Sequence, residues 1–190
     1  RLPQLLRGIF RGTLRVIALV GLCALGVAAL LREVGGASSR APAELKTGLS
    51  EEAAALMEQA WRGIDPRRLM DYHAHLVGLG TGGTGCSVNP HMLSWEHPFA
   101  RLKFLVYVSA AGVTDMARAD AQYLARLTDL ARHTPRHGRH LLLAFDHHHN
   151  RDGTPNLATS AFRVPNAHVV ATARRRPDLF VPALSVPPAR

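Results

Sequence analysis

The order of the predicted elements between residues 69 and 186 limits this chain to few folds. Three short apolar segments have the length and composition of β-strands: Leu69 to His75, His140 to Phe145 and Phe180 to Val186. Helical patterns fill the two intervals, one capped by Thr114 and ending at Arg132, the other running from Pro165 to Arg176. A strand–helix–strand–helix–strand order favours parallel pairing with right-handed crossovers, so we expect an α/β fold.

Two histidines lie two residues apart at the end of the first predicted strand. Side chains alternate between the faces of a strand, so His73 and His75 project from one face, with Asp71 one step earlier. Neutral imidazole is a common zinc ligand, and two imidazoles on one face can converge on one ion. We predict that His73 and His75 bind a divalent metal, with zinc favoured, and that Asp71 is a structural carboxylate that orients a histidine. The alternative is a hydrogen-bonded histidine pair without an ion.

Polar residues also follow the second predicted strand. The carboxyl ends of parallel strands form the ligand-binding edge of such folds, so Asp146 and His147 fall on the same edge as the first histidine pair. Asp146 ends the strand itself and is the better candidate for a place in the pocket. His147, His148 and His149 cannot all face one point, so they complete the site, line the pocket or lie in solvent. A long, glycine-rich loop from Gly78 to Pro98 adjoins this edge, and loops of that length are commonly functional.

Together these segments resemble the amidohydrolase superfamily, a group of metal-dependent hydrolases built on a (β/α)8 barrel. The resemblance rests on Asp71-Tyr72-His73-Ala74-His75 and, downstream, on Leu141 to Asp146, Val164 to Asn166 and Phe180 to Val186, which are similar to strand regions of the amidohydrolase-related branch. It implies that His73 and His75 hold zinc or a similar ion. The ion activates a water for attack on an amide, ester or lactone-like bond of a small-molecule substrate. The same branch contains metal-dependent decarboxylases, so decarboxylation is the alternative reaction.

The resemblance begins at about Leu69 and implies an incomplete barrel. A (β/α)8 barrel takes about 250 residues, and the predicted domain at 50–190 supplies roughly half of that number. We therefore expect the first three βα units of a TIM barrel, the N-terminal portion of an enzyme whose other ligands lie on later strands. The alternatives are a metal site completed in another way, or a non-enzymatic remnant that binds metal weakly or not at all.

An apolar segment near the N-terminus, Val16 to Leu31, contains 16 uncharged residues. A membrane-spanning helix needs about 20, so the segment suits a short anchor or a long signal-peptide core. The positive charge before it, from Arg1, Arg7, Arg11 and Arg15, places the N-terminus in the cytoplasm and the domain outside, in the periplasm or extracellular space. We favour an uncleaved, single-pass anchor at 1–33, followed by a linker at 34–49.

The composition bears on the expected partners. The formal net charge is +9, which is compatible with nucleic acid or an anionic membrane. No nucleic-acid-binding motif accompanies it, so we expect a small-molecule substrate and a membrane as partners, and no nucleic acid. Cys23 lies in the apolar segment and Cys86 in the glycine-rich loop, which implies no disulfide framework. The sequence leaves the oligomeric state open.

Overall fold

The computed structural model describes residues 2–39, 41–134 and 137–186. They form two compact units, of which the first extends to Ala37 and the second begins at Ser38. The predicted hydrolase domain falls in the second unit. Its last residues, 187–190, lie outside the described residues.

The described residues of the first unit belong to one helix, α1, which spans Leu2–Ser39 and ends two residues beyond that unit. Its stretch from Phe10 to Val27 has a mean hydropathy of 1.7, and none of that stretch is buried. By length and composition this helix is apolar enough to cross a membrane, a test that a signal sequence also passes.

The predicted linker at 34–49 is partly helical. Helix α1 continues through Ser39, and Pro42–Lys46 forms a short 3-10 helix. Glycines such as Gly35 and Gly36 each cost a helix about 1 kcal/mol, which is too little to stop a helix that is already nucleated. The small residues that suggested a linker therefore do not mark the end of the helix.

The second unit is built on a three-stranded parallel sheet. Its strands are β1 (Met70–His75), β2 (Arg139–Leu143) and β3 (Phe180–Ala183). Strand β2 lies between the other two, with His75 paired to Leu143 and His140 to Phe180. The predicted α/β class and parallel pairing are confirmed.

Four further helices belong to this unit: α2 (Glu51–Ala60), α3 (Pro98–Ala110), α4 (Ala119–His133) and α5 (Asn166–Arg175). Helix α4 precedes β2 in the chain, and α5 precedes β3. The prediction of Thr114 as the cap of α4 is wrong, because the Thr114 hydroxyl accepts a hydrogen bond from the Gln122 side-chain amide at 3.2 Å. Asp115 instead caps a 3-10 turn at Met116–Arg118, and α4 begins directly after it.

The core lies where the sheet packs against α4 and α5. Ala74, Leu142 and Phe180 of the strands are buried with Ala131 of α4 and Val169 of α5. Because Ala74 faces this core, alternation along β1 turns the side chains on either side of it to the opposite face of the sheet. The two predicted metal ligands are therefore kept out of the core by the strand itself.

The segment between β1 and α3 has more structure than a plain loop. It contains 3-10 turns at Thr81–Gly83 and Pro90–Met92. Ser87–Val88 pairs antiparallel with Phe162–Arg163, a segment that follows β2. The connection after β2 also folds back on itself, with His148–His149 paired antiparallel to Pro155–Asn156.

Candidate metal centre

His73 and His75 meet on the face of β1 that is turned away from the core. Their Nε2 atoms are 2.9 Å apart, and their rings form an edge-to-face contact with centroids 4.6 Å apart. This is the arrangement that strand alternation predicts for residues two apart. It brings one nitrogen from each ring to a common point at the carboxyl end of the strand.

The separation of the two nitrogens suits a shared metal ion. Two zinc–nitrogen bonds of about 2.0–2.1 Å, at angles between a right angle and a tetrahedral angle, put the nitrogens about 2.9–3.4 Å apart. The observed distance of 2.9 Å lies at the short end of that range. The same distance also fits a hydrogen bond between two neutral imidazoles.

The surroundings of His75 favour the neutral, ligating form of its ring. Burial lowers the pKa of His75, and the positive charge of a protonated His73 lowers it further. The ring of Phe145 stacks on it with centroids 4.5 Å apart. The His75 Nδ1 atom is buried and has no hydrogen-bond partner among the described residues. A metal ligand must be deprotonated, so the lowered pKa favours the form of the ring that can coordinate an ion.

Asp71 contacts the backbone of its own strand and a histidine of the neighbouring strand. Its carboxylate accepts a hydrogen bond from the His73 backbone amide at 2.9 Å, and its other oxygen lies 3.3 Å from Nδ1 of His140. The first of these hydrogen bonds is the main cause of a lowered pKa for Asp71, and His140 lowers it further. Asp71 therefore orients the start of β1 and a histidine of the neighbouring strand, rather than the ring of a predicted ligand. Sequence analysis did not assign His140 to this region, because the register between strands becomes visible only when they pair.

Asp146 and His147 follow β2 in the chain, directly after Phe145, whose ring stacks on that of His75. Asp146 accepts a hydrogen bond from the His147 backbone amide at 2.8 Å. Nδ1 of His147 is buried without a hydrogen-bond partner in the described part of the chain. The structure shows no hydrogen bond or ring contact between this pair and the two predicted ligands within the described ranges. His148 belongs to the short strand pair formed by His148–His149 and Pro155–Asn156. Its backbone amide donates a hydrogen bond to the Ser160 hydroxyl at 2.9 Å.

The histidine pair offers two candidate ligands. Among residues 2–39, 41–134 and 137–186, no group of three or more His, Cys, Asp or Glu side chains could hold an ion. Any further ligands of an ion bound here come from water or from groups other than those described.

One carboxylate organises the glycine-rich segment beside the site. Asp120, in the first turn of α4, is only 5% exposed. It accepts hydrogen bonds from the amides of Leu79 and Gly80, at 2.6 and 3.1 Å, and from the hydroxyls of Thr81 and Thr84. Sequence analysis missed Asp120, since an acidic residue in a first helical turn is common and its partners lie some 40 positions earlier in the chain.

Comparisons with family models, with curated proteins and with solved structures gave no match for this chain. The resemblance to the amidohydrolase superfamily therefore stays a prediction from the sequence motifs.

Proposed function

We propose that this chain is the N-terminal portion of a membrane-anchored, metal-dependent hydrolase of the amidohydrolase type, which acts on an amide or ester bond of a small molecule. The observation that carries the proposal is the 2.9 Å approach of the His73 and His75 Nε2 atoms. They meet at the carboxyl end of a parallel strand, which is the edge where α/β enzymes bind ligands.

His73 and His75 are the residues that would hold the ion, and two imidazoles favour zinc. When bound, such an ion lowers the pKa of a water molecule and polarises a carbonyl group. The chain itself fixes the two rings. Phe145 covers one face of the His75 ring, and Asp71 holds the backbone amide of His73. Both contacts keep the two Nε2 atoms directed at one point.

The order of the sheet supports a barrel. Its three strands lie side by side in chain order, each pair is parallel, and a helix precedes the second and third strands. Successive βα units of a TIM barrel are arranged in this way. We therefore assign β1, β2 and β3 to the first three units of a (β/α)8 barrel.

The apolar stretch of α1 supports membrane anchoring. Three arginines lie before this stretch or within its first third: Arg7, Arg11 and Arg15. The charged residues that follow it, Arg32 and Glu33, carry no net charge. The excess of arginine on the N-terminal side favours a cytoplasmic N-terminus and a domain on the opposite side of the membrane.

The test is hydrolysis by the natural full-length protein, purified with its membrane segment and stripped of metal with a chelator. The substrates are p-nitrophenyl acetate, acetanilide and a simple lactone. We expect activity to return on addition of Zn²⁺ to the wild type, and not to a His73→Ala/His75→Ala variant. His91→Ala/His97→Ala is the matched control. These two exposed rings also contact each other, with centroids 3.9 Å apart, but they stack face to face instead of meeting edge to face as His73 and His75 do. Activity that survives the chelator, or no hydrolysis of any of the three compounds, contradicts the proposal.

A second candidate is a non-enzymatic metal-binding protein. It is favoured by the finding that the described residues supply a pair of ligands rather than a group of three. In that case the full-length protein binds zinc through His73 and His75 and hydrolyses none of the compounds.

A further inference from the structure

A cavity of about 490 Å³ opens beside His75. Helices α3 and α4 form two of its walls, and the residues that follow β1 form a third. His75 and Phe145, whose rings stack on each other, both line it. The cavity and the candidate metal centre therefore share two residues.

The walls of the cavity are mainly apolar. Its largest purely apolar side chains are those of Leu79, Phe104, Leu127, Leu130, Phe145 and Phe162. Tyr123 brings a hydroxyl to the wall, but this hydroxyl donates to the backbone oxygen of His75 at 2.8 Å. Burial raises the pKa of Tyr123, so it adds no charge at neutral pH. Arg126 also lines the cavity, and both its Cδ atom and its guanidinium group lie close to Gly112.

The size of the cavity suits part of a small organic molecule. A cavity of about 150 Å³ accommodates one benzene, and ligand pockets are commonly about 300–1,000 Å³. A cavity of about 490 Å³ therefore has room for an aromatic ring with a substituent, or for a hydrocarbon chain. A polar group left without a hydrogen-bond partner is disfavoured there, because its burial in an apolar site costs several kcal/mol, roughly 2–7.

We propose that this cavity binds an uncharged aromatic or aliphatic group of the substrate, and so places the adjoining amide or ester bond beside His73 and His75. The inference rests on the proposed hydrolase function, since it names the substrate class of that same site. It excludes substrates in which both sides of the scissile bond are charged or strongly polar.

Binding is tested with 4-fluorobenzyl alcohol, an uncharged aromatic probe, followed by fluorine NMR. The protein is the full chain in lipid nanodiscs, and empty nanodiscs correct for partition of the probe into lipid. Val108→Trp and Ala111→Trp fill the cavity with a large side chain from two positions on its wall. Ala55→Trp makes the same kind of change at an exposed position of α2 and serves as the control.

We expect each filled variant that keeps the wild-type thermal transition to bind the probe at least tenfold more weakly, and the control to stay within twofold of wild type. Equal binding by wild type and filled variants, or wild-type binding no greater than that of empty nanodiscs, overturns the inference. Two positions are used so that the failure of one variant to fold leaves the other to decide.

Kinetics separate this inference from the proposed function. With p-nitrophenyl acetate, butyrate and hexanoate, kcat/KM should rise with chain length in the wild type, and the rise should disappear in the filled variants. Hydrolysis with no dependence on chain length overturns the cavity inference and leaves the hydrolase proposal standing. Probe binding that the filled variants lose, with no hydrolysis of these esters, of acetanilide or of the lactone, supports the cavity and overturns the hydrolase proposal.

Discussion

Asp120 shows how one buried side chain can hold a glycine-rich loop in place. Its carboxylate has no cationic partner in any described ion pair, and four donors from Leu79, Gly80, Thr81 and Thr84 satisfy it instead. The fit is close, because a Cβ atom at Gly78 would collide with the same carboxylate. The residues that follow the histidine pair are therefore positioned by α4 rather than by the strand.

Replacement of Asp120 by Asn should destabilise the protein by about 3 kcal/mol. The NH2 group of the asparagine side chain would face loop N–H and O–H groups that are themselves hydrogen-bond donors. Urea denaturation measures the change in the free energy of unfolding. Asp129→Asn, an exposed site on the same helix, is the control and should change stability by less than about 0.5 kcal/mol. Equal losses for the two variants would show that the hydrogen bonds of Asp120 do not stabilise the loop.

His168 on α5 gives a prediction for pH dependence. Burial lowers the pKa of His168, and Arg175 lowers it further, while the negative charge of Asp120 opposes the shift. The unfolded chain then takes up a proton at higher pH than the folded protein, so stability is lost as the pH falls below about 6.5, the ordinary histidine pKa.

Urea denaturation at pH 7.5 and 5.5 should show lower stability at the acidic pH, and a smaller difference for His168→Gln than for wild type. His91→Gln, at an exposed loop position, is the control. An unchanged pH dependence in His168→Gln refutes this role of His168.

Residue patterns in the sequence were informative where the geometry is local. Strand alternation was enough to place His73 and His75 on one face, where their rings contact each other. The partner of Asp71 was not predictable, because His140 lies 69 positions away and reaches it only through the pairing of β1 with β2. The same holds for Asp120, whose partners come from a distant segment.

At the scale of elements, the segment after β1 depends on glycines with left-handed backbone. Gly80 has a φ of +89°, and a Cβ atom there would lie 2.7 Å from the backbone oxygen of Cys86. Gly63 has a similar φ of +79°, but an added Cβ atom would have open space. A substitution at Gly63 therefore introduces backbone strain alone, whereas one at Gly80 introduces backbone strain and a steric collision.

Gly80→Ala should therefore cost more stability than Gly63→Ala. The control bears only the left-handed strain of about 1–2 kcal/mol, whereas Gly80→Ala also forces the loop away from Cys86. The measurement is the shift in the midpoint of thermal unfolding of each variant. A shift for Gly80→Ala no larger than that of the control contradicts this account of the loop.

The boundaries of the elements followed the sequence unevenly. The interiors of β2 and α5 were predictable from apolar runs and helical spacing. The end of α1 was not, because small residues slow a helix without stopping it. The start of α4 was not predictable either. The Thr114 hydroxyl, which suggested a helix cap, accepts a hydrogen bond from the Gln122 side chain instead.

At the scale of the whole molecule, the α/β class and the parallel sheet followed from the order of strands and helices, and α1 is apolar enough to cross a membrane. The proposed barrel goes further, since three strands are only part of such a closed sheet. The proposed metal chemistry also goes beyond the fold, and it depends on one pair of side chains. Whether this pair binds an ion decides between a metal centre and a hydrogen-bonded histidine pair.

The most direct measurement is the ratio of zinc to protein in the full-length protein, by mass spectrometry of metals after purification without chelators or a histidine tag. We predict a ratio near one for wild type and for the His91→Ala/His97→Ala control, and a ratio near zero for His73→Ala/His75→Ala. The same zinc content in wild type and in the His73→Ala/His75→Ala variant would contradict the account.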